Sequence, residues 1–305
     1  MSTAPLHHDP RISVVVLTHN RADELARSLR RLEELPERPR LIVVDNGSSD
    51  DTAARVRCDF PAVTLVRCPV NRGAAGRNAG VQRVTTRYVA FCDDDTWWAP
   101  GALARASDLL DAHPGIGALS GRVLVGPEER LDPACARMAS SPLQAAGLPG
   151  AALIAFMAGA AVMRTCAYRE VGGYEARLFL GAEEQLMAFD LAARGWHMVY
   201  AAEVVTHHHP SAARDPSARR VAVARNRIWI AWMRLPAGTA LRTTLQQLGE
   251  ARVAGQWRPV LRESLRGIGW ALSHRKVVPE RVHRMHRQVF ERASPRVALK
   301  QRVAG

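Results

Sequence analysis

Ile12-Ser-Val-Val-Val-Leu17 is a short apolar run, rich in β-branched residues, and Thr18-His19-Asn20-Arg21 follows it directly. A strand that is apolar on both faces is buried on both, as in a parallel sheet covered by helices. Residues 22–35 then set Leu25, Leu29 and Leu32 at helical spacing before Pro36 ends the helix. The alternation continues with a strand over 41–44 and a helix over 49–57. That helix is expected to take Ser48 or Ser49 as its cap, with Asp50 and Asp51 in its first turn. A strand over 63–66, a helix over 76–84 and a strand over 88–92 complete the series. Such a pattern predicts an α/β fold with a doubly wound, mostly parallel sheet. Further along, 118–125 reads as a strand, 126–150 as a loop, 182–194 as a helix closed by Gly195, and 198–206 as a last strand.

The chain has 305 residues, 47% hydrophobic and 23% charged, enough for one large domain with a real core and an appendage. Extensive disorder is excluded by that balance. Cys58, Cys68, Cys92, Cys135 and Cys166 are odd in number and widely spaced, which fits reduced thiols in a cytoplasmic protein and offers no zinc site. The net charge of +13 is unevenly placed: residues 211–305 hold 20 Lys and Arg against 5 Asp and Glu. Only Lys276 and Lys300 are lysines, an arginine bias of the kind a GC-rich gene imposes. The start, MSTAPLHHDPR, lacks a basic segment followed by an apolar core, so the expected location is the cytoplasm. Residues 138–163 are uncharged but broken by Pro142, Gly147, Pro149, Gly150 and Gly159, and read as a buried segment rather than a membrane span.

Ligands of open α/β sheets bind beyond the carboxyl ends of the strands. There the sequence places Thr18-His19-Asn20-Arg21, Asp45-Asn46-Gly47-Ser48, Asn71-Arg72-Gly73 and Asp93-Asp94-Asp95. Three successive carboxylates repel one another and need compensation, which Mg²⁺ or Mn²⁺ would supply. A solvated turn with Asp95 capping a helix near Pro100 is the plainer alternative. Asp45 could accept from a ribose or a base edge, or simply form an Asx turn. GAAGRNAG, residues 73–80, matches neither dinucleotide nor P-loop spacing, although Arg77 at a helix start could meet a diphosphate.

VVVLTHNR, LIVVDNGSSDDT, NRGAAGRNAG and YVAFCDDD, in that order, resemble the nucleotide half of family 2 glycosyltransferases with the GT-A fold, in an actinobacterial type of subfamily. GAAVMRTCAYREVGGYEARLFLGAEEQLMAFDLAARGW resembles the acceptor-side block, and the likeness spans residues 11–209. It implies a tail over 1–10, a GT-A domain over 11–210 divided into a nucleotide half (11–115) and an acceptor half (116–210), and a basic helical extension over 211–305. It further implies hexosyl transfer from a UDP- or dTDP-sugar to a hydroxyl acceptor, metal-dependent and inverting, in glycan or cell-envelope synthesis. Thr18, His19, Asn20 and Asp45 would hold base and ribose, with Arg21 and Asn71 in the same nucleotide-binding set. Asp93-Asp94-Asp95 would fill the D-x-D position, Asp95 on the metal and Asp93 or Asp94 nearer the ribose. Asp93 is also a candidate metal ligand.

Glu183-Glu184 would stand at the Glu-Asp pair whose second acid is the usual base. Removing the acceptor's proton needs such a carboxylate, and a helix start would keep it ionised. Leu186 and Asp190 depart from the family pattern, which commonly has Asp and Arg there. Strand alternation puts His207 and His209 on one face and His208 on the other. The resemblance places a further metal or diphosphate contact at His207; a solvated loop is the plainer reading.

The basic tail, with Arg219, Arg220, Arg225 and Arg227 ahead of Ile228-Trp-Ile-Ala-Trp-Met233, could lie on an anionic membrane surface or simply pack on the main domain. No nucleic-acid-binding module is recognisable, so nucleic acid is not an expected partner. A nucleotidyltransferase should show a Gly-rich phosphate loop after the first strand, and residues 14–21 have none. The remaining rival is an inactive nucleotide-binding or scaffold protein of the same fold. Retention of mutually repelling acids at 93–95 and 183–184 argues against it.

Overall fold

The computed structural model describes residues 9–210 and 216–291. Residues 1–8 of the expected tail, and 211–215 and 292–305 of the expected extension, lie outside the described residues. The first half alternates as its sequence predicts: β1 (Ile12–Thr18), α1 (Ala22–Glu33), β2 (Arg40–Asp45), α2 (Thr52–Asp59), β3 (Thr64–Arg67), α3 (Gly76–Val81) and β4 (Tyr88–Asp93). Then come β5 (Thr96–Trp98), α4 (Ala102–Ala112), β6 (Ile116–Val125), β7 (Arg130–Leu131), α5 (Pro133–Ala139), β8 (Ala151–Ala152), β9 (Ala161–Arg164) and α6 (Thr165–Glu170). The chain continues through α7 (Glu183–Ala193), β10 (His197–His208), α8 (Pro216–Arg234), α9 (Ala237–Val253), α10 (Trp257–Ser273) and α11 (Glu280–His286).

Among the described residues ten strands form one sheet, in the order β3-β2-β1-β4-β9-β6-β10-β5, with β7 on β6 and β8 on β10. The β3-β2-β1-β4 half is wholly parallel. Antiparallel β9 bridges it to a second parallel pair, β6 and β10. Pairing of Thr18 with Asp45 and of Leu17 with Asp93 fixes the register that brings the polar residues to one edge. Helix α3 lies close over that half. A Cβ at Gly80 would meet Val15 Cγ1 at 2.5 Å and Val44 Cγ2 at 2.8 Å, so only glycine permits the approach.

Several local expectations are corrected. No serine caps α2: its preceding residue is Asp51, and Asp50 instead accepts from Thr52 N at 3.1 Å. The helix expected over 76–84 ends at Val81, preceded by a short 3₁₀ turn over Gly73–Ala75. The 126–150 segment contains β7 and α5, the latter capped by Asp132, which accepts from Ala134 N at 2.7 Å. The uncharged stretch is buried mainly in its second half, with Leu153, Ile154, Phe156 and Val162 in the core, whereas Ala139, Ser140, Pro142, Gln144, Ala146 and Gly147 are exposed. Among the described residues no helix is long and apolar enough to cross a membrane.

The C-terminal helices share the main core through Trp229, Ile230, Met233, Leu235, Ala271 and Val282. Several of their arginines act structurally. Arg234 pairs with Asp190 through both carboxylate oxygens, at 2.6 and 3.0 Å, which gives this departure from the family pattern its partner. Arg275 donates to Leu235 O and Arg281 to Ala193 O, satisfying carbonyls at helix ends. Trp229 donates from Nε1 to Ser264 O at 2.8 Å and its ring fills the space over Gly267. Gly267→Ala would drive a methyl into that ring. It should lower stability by about 1–3 kcal/mol, read as a shift of the urea midpoint at unchanged slope.

Candidate active site

Four loops converge at the carboxyl edge of β1, β2 and β4. Asn20, at φ 53°, ties the first two together: its backbone N donates to Ser48 Oγ at 2.9 Å, and its Oδ1 accepts from Ser49 N at 2.8 Å. Asp45 is fully buried and forms the Asx turn, accepting from Ser48 N at 2.9 Å and from Arg67 Nε at 3.1 Å. Asn71 spends its amide oxygen on Asn46 Nδ2 and Gly73 N, so it builds the loop. His19 is half-buried beside this edge, and its Nδ1 has no hydrogen-bond partner.

The three acids after β4 are compensated by arginines. Arg21 donates to Asp94 Oδ1 at 2.9 Å and to Asp95 Oδ2 at 3.0 Å. Thr18 Oγ1 donates to Asp94 Oδ2 at 3.1 Å, and burial still pushes Asp94 up to about 6. Asp93 is the open member, with 41% of its side chain exposed, and pairs with Arg77. At its helix start Arg77 could have met a diphosphate. It lies instead almost wholly buried between Asp93 and the ring of Tyr174, because the adjoining acids draw its charge inward. Asp95 caps no helix: α4 begins after Gly101, without a side-chain cap.

His207 and His208 end β10 rather than lying in a loop, and His209 follows it, its backbone N donating to Asp95 O at 2.9 Å. His208 Nε2 lies 3.5 Å from Asp95 Oδ1. His207, expected at the metal, faces the other way: its ring stacks on Trp97 and its Nδ1 lies 3.3 Å from Glu129. The alternation was legible, but which face met the acids depended on the pairing of β10 with β5. Among the described residues no three His, Cys, Asp or Glu side chains form a ready metal cage. A Mg²⁺ or Mn²⁺ held by one or two side chains and a ligand's phosphates needs none. The carboxylate and imidazole donors of Asp95 and His208 therefore fit such an ion.

The acceptor-side block docks on α3. Asn78 donates to Tyr174 O and accepts from Tyr174 N, both at 2.9 Å, holding the Gly172-Gly173-Tyr174 turn. The next loop carries two non-glycine residues at positive φ, Phe179 at 60° and Ala182 at 65°. Phe179 O accepts from Ala74 N at 2.7 Å and presses on Gly73, where any Cβ would collide. Asn226 of α8, fully buried, donates to Leu178 O at 2.8 Å and Gly181 O at 2.6 Å. No sequence motif announced Asn226, because its partners lie more than forty residues upstream. Asn226→Leu would take from Gly181 O its side-chain donor, while Leu178 O keeps Leu180 N and Arg225. It should cost about 1–3 kcal/mol by urea unfolding and weaken whatever the α7 start performs.

Glu183 and Glu184 open α7. Glu183 is 4% exposed, and its Oε2 has no hydrogen-bond partner. Burial raises both carboxyls above the usual carboxylate range, Glu184 further because Glu183 lies beside it. For Glu184 the expectation that the helix start keeps it ionised is thus opposed: burial and the adjacent Glu183 push its carboxyl up to about 8. Arg77 is the cation that both acids feel, and it also holds Asp93. Glu184 lines a cavity of ≈ 530 Å³ between α7, α8 and α9.

A parallel β3-β2-β1-β4 half with acids at its carboxyl edge, continued by β6 and β10 and a helix that opens on buried Glu183 and half-buried Glu184, is the architecture of a GT-A glycosyltransferase. The description Glycosyl transferase family 2 matches residues 13–167, and the chain belongs to that family. It is 26% identical over 299 residues to the N-acetylglucosaminyl-diphospho-decaprenol L-rhamnosyltransferase of Mycobacterium tuberculosis, covering 84% of this chain and 97% of the relative. Similar solved folds include a mannosyltransferase of Pyrobaculum calidifontis in complex with GDP-Man and Mn²⁺. Its TM-score is 0.57 at 23% identity, covering 94% of this chain and 87% of that one. Residues 1–349 of S. aureus TarS superpose with a TM-score of 0.61 at 18% identity, covering 90% of this chain and 83% of theirs. The protein is a glycosyltransferase.

Proposed function

We propose that this glycosyltransferase moves a hexosyl group from a UDP- or dTDP-sugar to an acceptor hydroxyl with inversion, Glu184 serving as general base. The observation that carries the reading is Arg77: one buried guanidinium serves both Asp93 at the donor edge and the Glu183–Glu184 pair. Donor acids and a basic carboxylate are thereby held at one centre. Thr18, His19, Asn20, Arg21 and Asp45 frame the pocket for base and ribose, with Asp93 and Asp94 beneath the ribose.

Glu184 takes the proton of the acceptor hydroxyl as that oxygen attacks C1 of the donor sugar. The bond from C1 to the diphosphate oxygen breaks, and the nucleoside diphosphate leaves from the opposite face. A raised carboxyl is a stronger base once ionised, and Arg77 keeps enough of it ionised to act. Held by Asp95 and His208, a divalent metal would offset charge on the leaving diphosphate.

The Mycobacterium relative is named for an acceptor sugar carried on a prenyl diphosphate. We take an acceptor of that class, met at the inner face of the cytoplasmic membrane in envelope glycan synthesis. Exposed Leu241, Leu245 and Val253 beside Arg252 suit peripheral contact with an anionic bilayer. Incubation with UDP- and dTDP-sugars, Mn²⁺ and a prenyl-diphosphate-linked sugar tests the reading by NMR of the new linkage. Inverted anomeric configuration is expected; retained configuration, or no nucleotide release from any donor, would overturn it.

A further inference from the structure

The cavity that Glu184 lines is not the donor edge: neither Thr18, Asp45 nor any of Asp93, Asp94 and Asp95 borders it. Its walls combine Phe156, Phe189 and Ile230 with two guanidiniums, Arg227 of α8 and Arg242 of α9. Arg227 is exposed and makes no ion pair with a carboxylate among the described residues. A second, independent polar group borders the same space. His286 is only 6% exposed, and its Nδ1 has no hydrogen-bond partner. Burial, with His283 nearby, lowers its imidazole to about 4, so at neutral pH it is an uncharged hydrogen-bonding group. Arg227 also borders a neighbouring cavity of ≈ 410 Å³, whose surface is mostly apolar through Val223, Ala224, Ala251, Ala254 and Val260 although Arg219, Arg220 and Glu250 line it too. A base, two cations, a neutral imidazole and an apolar annex thus adjoin one another.

We propose that Arg227 and Arg242 bind the diphosphate of the acceptor, with the acceptor sugar in the Glu184 cavity beside His286 and the apolar tail in the annex beyond Arg227. The inference rests on Glu184 as the base and adds the acceptor's anchoring site. A space of ≈ 530 Å³ falls within the roughly 300–1,000 Å³ of small-ligand sites, enough for a sugar and its phosphates. Guanidiniums are the side chains best matched to phosphate oxygens, and the pair is separate from the residues that frame the donor's own diphosphate.

The probe is farnesyl diphosphate, titrated calorimetrically into the full-length protein beside inorganic pyrophosphate and farnesol. UDP and dTDP titrations with Mn²⁺ report the donor site separately. Wild type should bind farnesyl diphosphate more tightly than either fragment, and Arg227→Ala/Arg242→Ala should weaken it by about tenfold or more while nucleotide affinity stays unchanged. Equal binding by wild type and the double variant would overturn the proposal, as would pyrophosphate matching the full probe or displacement of the probe by UDP. Normal nucleotide binding with no affinity for farnesyl diphosphate would overturn this site alone; loss of nucleotide binding in the wild type would overturn the donor reading beneath it.

Discussion

Glu184→Gln should reduce sugar transfer by about 10²–10⁴-fold, the usual contribution of a positioned general base, while leaving nucleotide affinity unchanged. The substitution keeps the shape and removes only the proton acceptor. It should not cost stability. A carboxyl raised on folding contributes stability below its unfolded value and loses it as pH rises through the raised one, so an uncharged amide escapes that loss. Glu183→Gln separates the two acids. Since Glu183 is a cause of the raised basicity of its neighbour, removing its charge should move the acidic limb of the kcat/KM profile to lower pH with transfer retained. A pH profile of both variants checks the assignment. Loss of transfer in Glu183→Gln with a normal Glu184→Gln would exchange the roles.

Arg77→Leu should be the more damaging change to the fold. It removes the cation whose charge acts on Asp93, Glu183 and Glu184 and leaves their mutual repulsion uncompensated. The expected loss is about 3 kcal/mol, at the low end for a broken buried pair because Asp93 is 41% exposed and can be solvated. Its sign on catalysis is opposite to that of Glu183→Gln: with the positive charge gone, the acidic limb should move to higher pH. Urea unfolding and a pH profile of the surviving activity read the two effects. Unchanged stability would mean that Arg77 is not the keystone of this centre.

The halves of the protein differ in how much their sequence discloses. Strands β1 to β4 are short apolar runs, each followed at once by polar residues, so both the parallel half and its polar edge could be read directly, although β4 returns to pair with β1 rather than with β3. Asp93, Asp94 and Asp95 stood out for the same reason. Their partners did not. Arg21 lies 73 positions before Asp94, and only the pairing of β1 with β4 brings them together. Arg77 carried a helix-start signal that pointed it at an anion, but burial redirected it to a carboxylate.

The acceptor half was legible mainly through its resemblance. Strand β9 has four residues and runs antiparallel between β4 and β6, a placement no local pattern specifies. The parity of the three histidines was readable, whereas the choice of His208 over His207 at Asp95 depends on strand β10 extending to 208 and pairing with β5. Asp190 looked like an anomaly until Arg234, 44 positions later, supplied its partner.

The most direct test of the account is calorimetric titration of the protein with UDP and with dTDP, each in Mn²⁺ and in EDTA, for wild type and Asp95→Ala. One of the two nucleotides should bind wild type in Mn²⁺ and fail in EDTA, and Asp95→Ala should bind neither. Absence of binding under every condition, or binding indifferent both to the metal and to Asp95, would contradict the donor site placed at the carboxyl edge of β1, β2 and β4.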